Sequence, residues 1–320
     1  MIYIFDEKDG EYIRRTSSNL PNMQTKIWVE LVAPTRTEAD LIVKQFGIPE
    51  EFMNYALDED ERARVDRDDD TGCDLVIFDT PIEEKDTFAT MPVTVIFKGN
   101  IIISVCLRET SLFNDLKEHR DQDKFLLESD KLLYKLLLAS QGSFSKYLMR
   151  IEKRWARIQH HLQKTVTNEE VLNLLSLKNS LTYFATSLHS NNLMINELSK
   201  KSKIDDDTET LQNISVEITQ AIEKTNTYRE LLTETMNAYS SILSNNLNEQ
   251  LRKLTLITIL IAIPTLIFSL WGINTDVPFG LGSGIWGFWV VVGVAVVATL
   301  ISTLFILGRK TTVRKRKDPR

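Results

Sequence analysis

Two stretches decide the architecture: Leu254–Trp271, LTLITILIAIPTLIFSLW, and Gly284–Leu307, GIWGFWVVVGVAVVATLISTLFIL. From Leu254 to Leu307 the one ionisable side chain is Asp276. Each run is long enough to cross about 30 Å of hydrocarbon as a helix. A buried core hairpin is a poor alternative, because the second run is too long and too apolar for one. Trp286 and Trp289 stand near its start, where aromatic side chains meet a membrane surface. Arg252 and Lys253 precede the first run, Arg309, Lys310, Arg314, Lys315, Arg316 and Lys317 follow the second, and the connector carries no cation. The positive-inside rule then predicts a multi-pass cell-membrane protein with two spans, cytoplasmic N- and C-termini and an outer loop.

The first span is ordered in its polarity. Thr255, Thr258, Ala262, Thr265 and Ser269 recur at steps of three and four, which puts small and hydroxyl side chains on one stripe. Ile257, Leu260, Ile261, Leu266 and Ile267 fill the other positions. Such a stripe is most often a helix-packing face, and it also suits a pore wall. Two spans cannot enclose a water-filled path alone, so the pore reading requires an oligomer.

Upstream, neither Gly nor Pro occurs from Thr208 to Ile263. The sequence predicts one helix of about 60 residues, roughly 90 Å at 1.5 Å per residue, running from a stalk into the membrane. Asp205, Asp206 and Asp207 suit its N-terminus electrostatically. Before it, Asn168–Lys203 reads as a second long helix, with Thr167 and Glu170 as a capping box. Helical spacing extends from about residue 123, with Leu126, Leu127, Leu132, Leu133, Leu136, Leu137 and Leu138 marking a buried face, through Phe144–Gln163.

Residues 1–122 read as a mixed α/β head. Strands are expected at Ile2–Phe5, Lys26–Leu31, Asp74–Asp79, Pro92–Phe97 and Ile101–Leu107, the last two joined at Lys98-Gly99-Asn100 as a hairpin. Helices are expected at Thr35–Phe46, capped by Thr35 or Thr37 and stopped by Gly47, and at Pro49–Asp58. The expected division is therefore 1–122 head, 123–253 helical stalk, 254–271 first span, 272–283 outer loop, 284–307 second span and 308–320 basic tail.

Composition excludes several classes. The net charge of −6 lies in the water-facing part, and basic patches interleaved with aromatics are missing there, so nucleic acid is not an expected partner. Cys73 and Cys106 are the two cysteines and form no metal-type spacing. His119, His160, His161 and His189 form no zinc-hydrolase motif. MIYIFDEKDG lacks the basic and apolar regions of a signal peptide. With no P-loop, nucleophile elbow or paired catalytic acids, an enzyme is not expected.

Trp271-Gly272-Ile273-Asn274, after a span containing Pro264 and before a short Pro/Gly loop, resembles the CorA family of magnesium transporters. The family signature is an aromatic followed by Gly-Met-Asn, and here Ile273 holds the middle place. Ser244-Asn245-Asn246-Leu247-Asn248-Glu249 resembles the family's Ser-Asn-x-x-Asn segment, and the likeness covers essentially the whole chain. The resemblance implies an α+β cytoplasmic head with long stalk helices, followed by two transmembrane α-helices, assembled as a homopentameric funnel lined by the first spans. It implies an Asn274 ring at the outer mouth, an Asn248 ring at the cytoplasmic end, and Leu251, Leu254, Thr258, Ala262 and Thr265 along the pore between them. Gly272 and Ile273 would fix the turn that holds Asn274.

Magnesium dehydrates reluctantly, so neutral amide oxygens that accept hydrogen bonds from its water shell suit a selective mouth, and Leu251 with Leu254 suits a dry closure. The implied cargo is Mg²⁺, with Co²⁺ or Ni²⁺ also admitted, and Mg²⁺ is the implied regulatory ion; no cofactor is expected. Family members sense cytoplasmic metal through acidic residues between neighbouring heads. The cluster Glu59, Asp60, Glu61, Asp66, Asp68, Asp69 and Asp70 is one candidate, although most such runs are solvated loops. On the stalk an acidic partner is expected where Asn213 stands, with Glu217 one turn on. Ile273 also fits relatives of the zinc-transporting ZntB kind, in which flux is coupled to protons, and a non-conducting membrane-anchored sensor is the third reading.

Overall fold

The computed structural model describes residues 1–6, 12–13, 27–84, 87–110, 112–113, 129–162, 168–201, 205–272 and 285–314. It divides into two compact units, Met1–Asn237 and Ala238–Arg320.

The first unit is built on a seven-stranded sheet. Its strands are β1 (Ile2–Asp6), β2 (Tyr12–Ile13), β3 (Ile27–Val32), β4 (Arg64–Asp68), β5 (Cys73–Glu84), β6 (Thr87–Lys98) and β7 (Ile101–Cys106), in the order β2-β1-β3-β7-β6-β5-β4. β3 and β7 run parallel; every other neighbouring pair is antiparallel. The parallel pair is joined through helices α1 (Arg36–Phe46) and α2 (Glu50–Ala56) and the strands that follow. The expected cap is present: the Thr35 hydroxyl accepts from the Glu38 amide while the Glu38 carboxylate accepts from the Thr35 amide, and Gly47 ends α1 in the left-handed region at φ 62°. The Lys98–Ile101 hairpin forms as expected, with Gly99 at φ 56°.

β3 and β7 are buried along their whole length, as strands covered on both faces must be. On one face Ile27, Val29, Leu31, Leu75, Ile77 and Ile103 pack with Ile42, Phe46, Phe52 and Met53 of α1 and α2. The other face includes Trp28, whose indole N–H donates to Ser104 Oγ at 2.9 Å. There α3 (Ser129–Leu162) and α4 (Asn168–Lys201) lie across β5 and β6. Leu132, Leu133, Leu136 and Leu137 are buried as the spacing predicts, but Leu138 is exposed. It falls about 100° beyond Leu137, past the edge of the buried face. Leu126, Leu127 and Thr167 lie outside the described residues.

Two features differ from the sequence reading. β5 and β6 have 12 residues each, about twice the expected length. Pro81 and Pro92 and the charged end Glu83-Glu84 obscured the pattern, since proline and acids are poor strand formers. Residues 64–68 of the acidic region also form β4, paired with β5, rather than a loop.

Helix α5 runs from Asp205 to Trp271, 67 residues, and contains Pro264. In the first unit it buries Leu211, Ile214, Ile218, Ala221 and Leu232. Gln141 Nε2 donates to the Glu217 carbonyl at 3.1 Å, and the Tyr228 hydroxyl donates to Glu152 at 2.5 Å. The second unit contains the end of α5 and helix α6 (Ile285–Arg314).

Candidate functional site: the first span and its mouth

Residues 254–271 of α5 are apolar yet unburied in the single chain. Leu254, Ile257, Leu260, Ile261, Leu266, Phe268 and Leu270 are all exposed. That is far more exposed apolar surface than a water-soluble monomer sustains. It demands lipid or further copies around the helix.

The segment is not uniform around its axis. Leu256, Ile259, Ile263, Pro264, Ile267 and Trp271 are half-buried and form one stripe, the more covered face of the segment. Thr258, Ala262, Thr265 and Ser269 are exposed, as are Leu251 and Leu254 on the same side. At about 100° per residue they lie roughly half a turn from the covered stripe. The hydroxyl stripe is therefore not the packing face of the isolated chain, which removes one explanation for its small residues.

Its chemistry follows from the helix itself. Thr255, Thr258 and Thr265 each donate their hydroxyl proton to the carbonyl four residues back, at 2.8, 2.9 and 2.7 Å. None of these three hydroxyl protons is left unpaired in a nonpolar setting, and each oxygen keeps lone-pair capacity. The same bond forms at Thr299 and Thr303 in α6, so the bond alone does not mark a pore; its placement on the exposed stripe does the distinguishing. Pro264 has no amide hydrogen, so the Leu260 carbonyl loses its helical donor.

At the outer end Gly272 continues the last turn, its N–H shared between the Phe268 carbonyl at 3.0 Å and that of Ser269 at 3.2 Å. A Cβ at this position would meet these carbonyls at ordinary contact distance. Among the described residues nothing requires glycine there. Ile273 and Asn274 lie outside the described residues. At the other end Asn248 is exposed on α5, and Glu249 pairs with Lys253 at 3.1 Å.

The acidic candidates in the head are occupied locally. Glu59 pairs with Arg108 at 3.2 Å, Glu61 pairs with Arg64, and Asp69 pairs with Arg67 at 3.0 Å. Asp66 accepts from the Arg67 amide. Asp68 accepts from the Thr71 hydroxyl and amide, which holds its carboxyl below the usual range. Asp60 and Asp70 are exposed beside them. Glu217 lies elsewhere, on α5. Among the described residues no three acids, histidines or cysteines gather as a metal site within one chain.

Sequence reasoning missed the polar seam that fastens α4 to the sheet. Ser180, Ser187 and Asn191, all buried, reach the Phe88 amide, the Thr90 hydroxyl and the Asp79 backbone respectively. The signal available was a run of small polar residues at helical spacing on one face, but their partners lie about a hundred residues away.

With this geometry in place, likeness to known proteins can be set beside it. Residues 24–315 match the family described as CorA-like Mg²⁺ transporter protein. The chain belongs to the CorA family. The cobalt/magnesium transport protein CorA of Methanocaldococcus jannaschii is 27% identical over 282 residues, covering 86% of this chain and 88% of that protein. The complete CorA magnesium transporter structure from the same organism superposes with a TM-score of 0.81 at 24% identity, over 95% of this chain and 96% of the other. The ZntB cytoplasmic domain from Vibrio parahaemolyticus reaches a TM-score of 0.59 at 13% identity, over 77% and 98% of the two chains; it shares the fold. CorA membership and the two candidate spans make this a membrane protein.

Proposed function

We propose that this chain moves Mg²⁺ into the cell through a pore made by several copies, five by likeness to the family, with Co²⁺ and Ni²⁺ as further cargo. The observation that carries the reading is the exposed stripe Leu251, Leu254, Thr258, Ala262 and Thr265, turned away from the covered face of α5. Packed around an axis, five such stripes would line a path that is apolar at its inner end and acceptor-rich above. The relative named for cobalt and magnesium transport supports the cargo.

In this reading Asn274 supplies a ring of amide oxygens at the outer mouth and Asn248 a ring at the inner end. The spans contain no acid from Leu254 to Asn274, which allows a hydrated cation to pass without tight capture. Both termini face the cytoplasm. Cytoplasmic Mg²⁺ would close the pore by binding between heads of neighbouring copies, with Asp66, Asp68, Asp69, Asp70 and Glu217 as candidates. Those carboxylates gather no site within one chain, so binding there requires a second copy.

Ile273, in place of the family's methionine, keeps a ZntB-like zinc reading in play. Flux into proteoliposomes separates the two. Mg²⁺ uptake that exceeds Zn²⁺ uptake and persists without a pH gradient supports the channel. Zn²⁺ uptake that collapses without the gradient contradicts it.

A further inference from the structure

Helices α3 and α5 carry opposite charges on their outward faces. On α3, Lys146, Arg150, Lys153 and Arg157 recur at steps of four, three and four, so they share one exposed stripe. On α5, Glu223, Glu230 and Glu234 form a second exposed stripe. At about 100° per residue the basic stripe lies roughly opposite the buried Phe144, Leu148 and Ile151, and the acidic stripe opposite the buried Ile214, Ala221 and Leu232. Charges of the other sign, Glu152 on α3 and Lys224 and Arg229 on α5, stand about 100° or more to the side. Arg150 pairs with Glu83 at 2.6 Å. Lys146, Lys153, Arg157 and the three glutamates have no ion pair among the described residues.

The stripes do not meet within one chain. The bonds from Gln141 to the Glu217 carbonyl and from Tyr228 to Glu152 mark the line along which α3 and α5 touch. The basic stripe stands roughly 120–140° round α3 from that line, and the acidic stripe about 140° round α5 in the opposite sense. Both therefore point to the same side of the helix pair.

The same two bonds set the level of one helix against the other. Each joins residues 76 places apart, so α3 and α5 run parallel. The stripes are offset almost identically: Lys146 to Glu223, Lys153 to Glu230 and Arg157 to Glu234 are each 77 places. Rotation about an axis leaves height along it unchanged. In a ring of copies whose axis runs along α5, three cations of one copy thus stand level with three carboxylates of the next, to within one residue or ~1.5 Å. A lipid headgroup or a nucleic acid would demand no such threefold match.

We propose that Lys146, Lys153 and Arg157 dock against Glu223, Glu230 and Glu234 on the α5 helix of a neighbouring copy. The contact is heterologous, so every copy offers one stripe to each side, as a closed ring requires. Exposed ion pairs add little affinity singly; here they choose the partner and fix its register. The proposal rests on the assembly of several copies around the pore.

The test is cross-linking of the full chain in a neutral detergent with a short bis-maleimide, since helices in contact lie about 8–10 Å apart and Cys73 and Cys106 are buried. Lys153→Cys with Glu230→Cys should give a ladder of linked copies on a denaturing gel. Lys153→Cys with Gln212→Cys, on the same face but ~27 Å out of level, should give at least fivefold less. Reversal by Lys146→Glu, Lys153→Glu and Arg157→Glu should lower the assembled fraction at least threefold at low salt, and adding Glu223→Lys, Glu230→Lys and Glu234→Lys should restore it. A bridge confined to single copies, equal linking in the out-of-level pair, or no rescue by the sixfold swap would overturn the proposal. So would a reversal variant that assembles normally but loses binding to phosphatidylglycerol vesicles, which would assign the basic stripe to lipid. Wild-type Mg²⁺ flux in proteoliposomes separates the two readings: a ladder without flux removes the transport reading alone, and flux without a ladder removes this one.

Discussion

The side-chain amide of Asn191 pairs with the backbone of Asp79 as a strand would. Asn191 Oδ1 accepts from the Asp79 amide at 2.7 Å, and Asn191 Nδ2 donates to the Asp79 carbonyl at 2.8 Å. β4 ends opposite Ile77, so β5 has no strand partner on that edge at Asp79, which faces Pro92 of β6 on the other side. A helix side chain thus supplies what the sheet lacks, and in doing so fixes α4 against β5. The Ser140 hydroxyl of α3 donates to the same carbonyl at 3.0 Å, so both long helices converge on one peptide unit.

Replacing Asn191 with alanine strands the buried Asp79 amide, while Ser140 still serves the carbonyl. The expected loss is about 1–3 kcal/mol, seen as a lower Tm of the purified protein. Ser140→Ala should cost less. Equal effects would mean that the peptide pairing is not what holds α4.

The Asp79 side chain makes a separate prediction. It is 8% exposed, and burial pushes its carboxyl up to about 6, partly offset by a hydrogen bond with Ser187. The folded state therefore favours the protonated acid. This contribution to stability is fully present below about pH 4 and lost as pH rises to about 6, a total of about 3 kcal/mol. Asp79→Asn should raise Tm at pH 7.5 and give almost no gain near pH 4. A gain that does not change with pH would show that ionisation is not the cause.

Leu254 sits on the exposed stripe at the inner end of the first span, where a closed pore would be dry. Leu254→Asn should hydrate that ring and raise Mg²⁺ leak at high internal Mg²⁺ several-fold over wild type, in dye-loaded proteoliposomes. Ile257→Asn lies off the stripe and should not. Matching behaviour of the two would remove the stripe from the pore.

Orientation can be read with thiol reagents. Cys73 and Cys106 are both buried, so background labelling of the folded chain should be low. A membrane-impermeant maleimide should label Ser283→Cys on intact cells, and Gly308→Cys only after permeabilisation. The opposite pattern would invert the topology and place the basic tail outside.

Much of this architecture is legible in one chain because its signals are local. The Thr35–Glu38 cap, the Gly47 stop, the Gly99 turn and the uninterrupted α5 helix each depend on residues a few places apart. The first-span stripe is visible for the same reason, since a 3.6-residue period sorts side chains onto faces. What escaped reading has weak local signals or distant partners. β4 looked like a solvated acidic loop because its aspartates are poor strand formers, although it pairs with β5 across a short turn, and β5 and β6 looked short because Pro81 and Pro92 interrupt the strand pattern. The direction in which the hydroxyl stripe faces also needed the structure, because spacing alone points to packing at least as readily as to a pore.

The most direct test of the central claim is Mg²⁺ flux through Asn274→Ala in proteoliposomes, beside wild type and with equal amounts of assembled protein. A mouth built from the amides of several copies predicts at least a tenfold loss of Mg²⁺ flux with the oligomer intact. Unchanged flux and selectivity would contradict it.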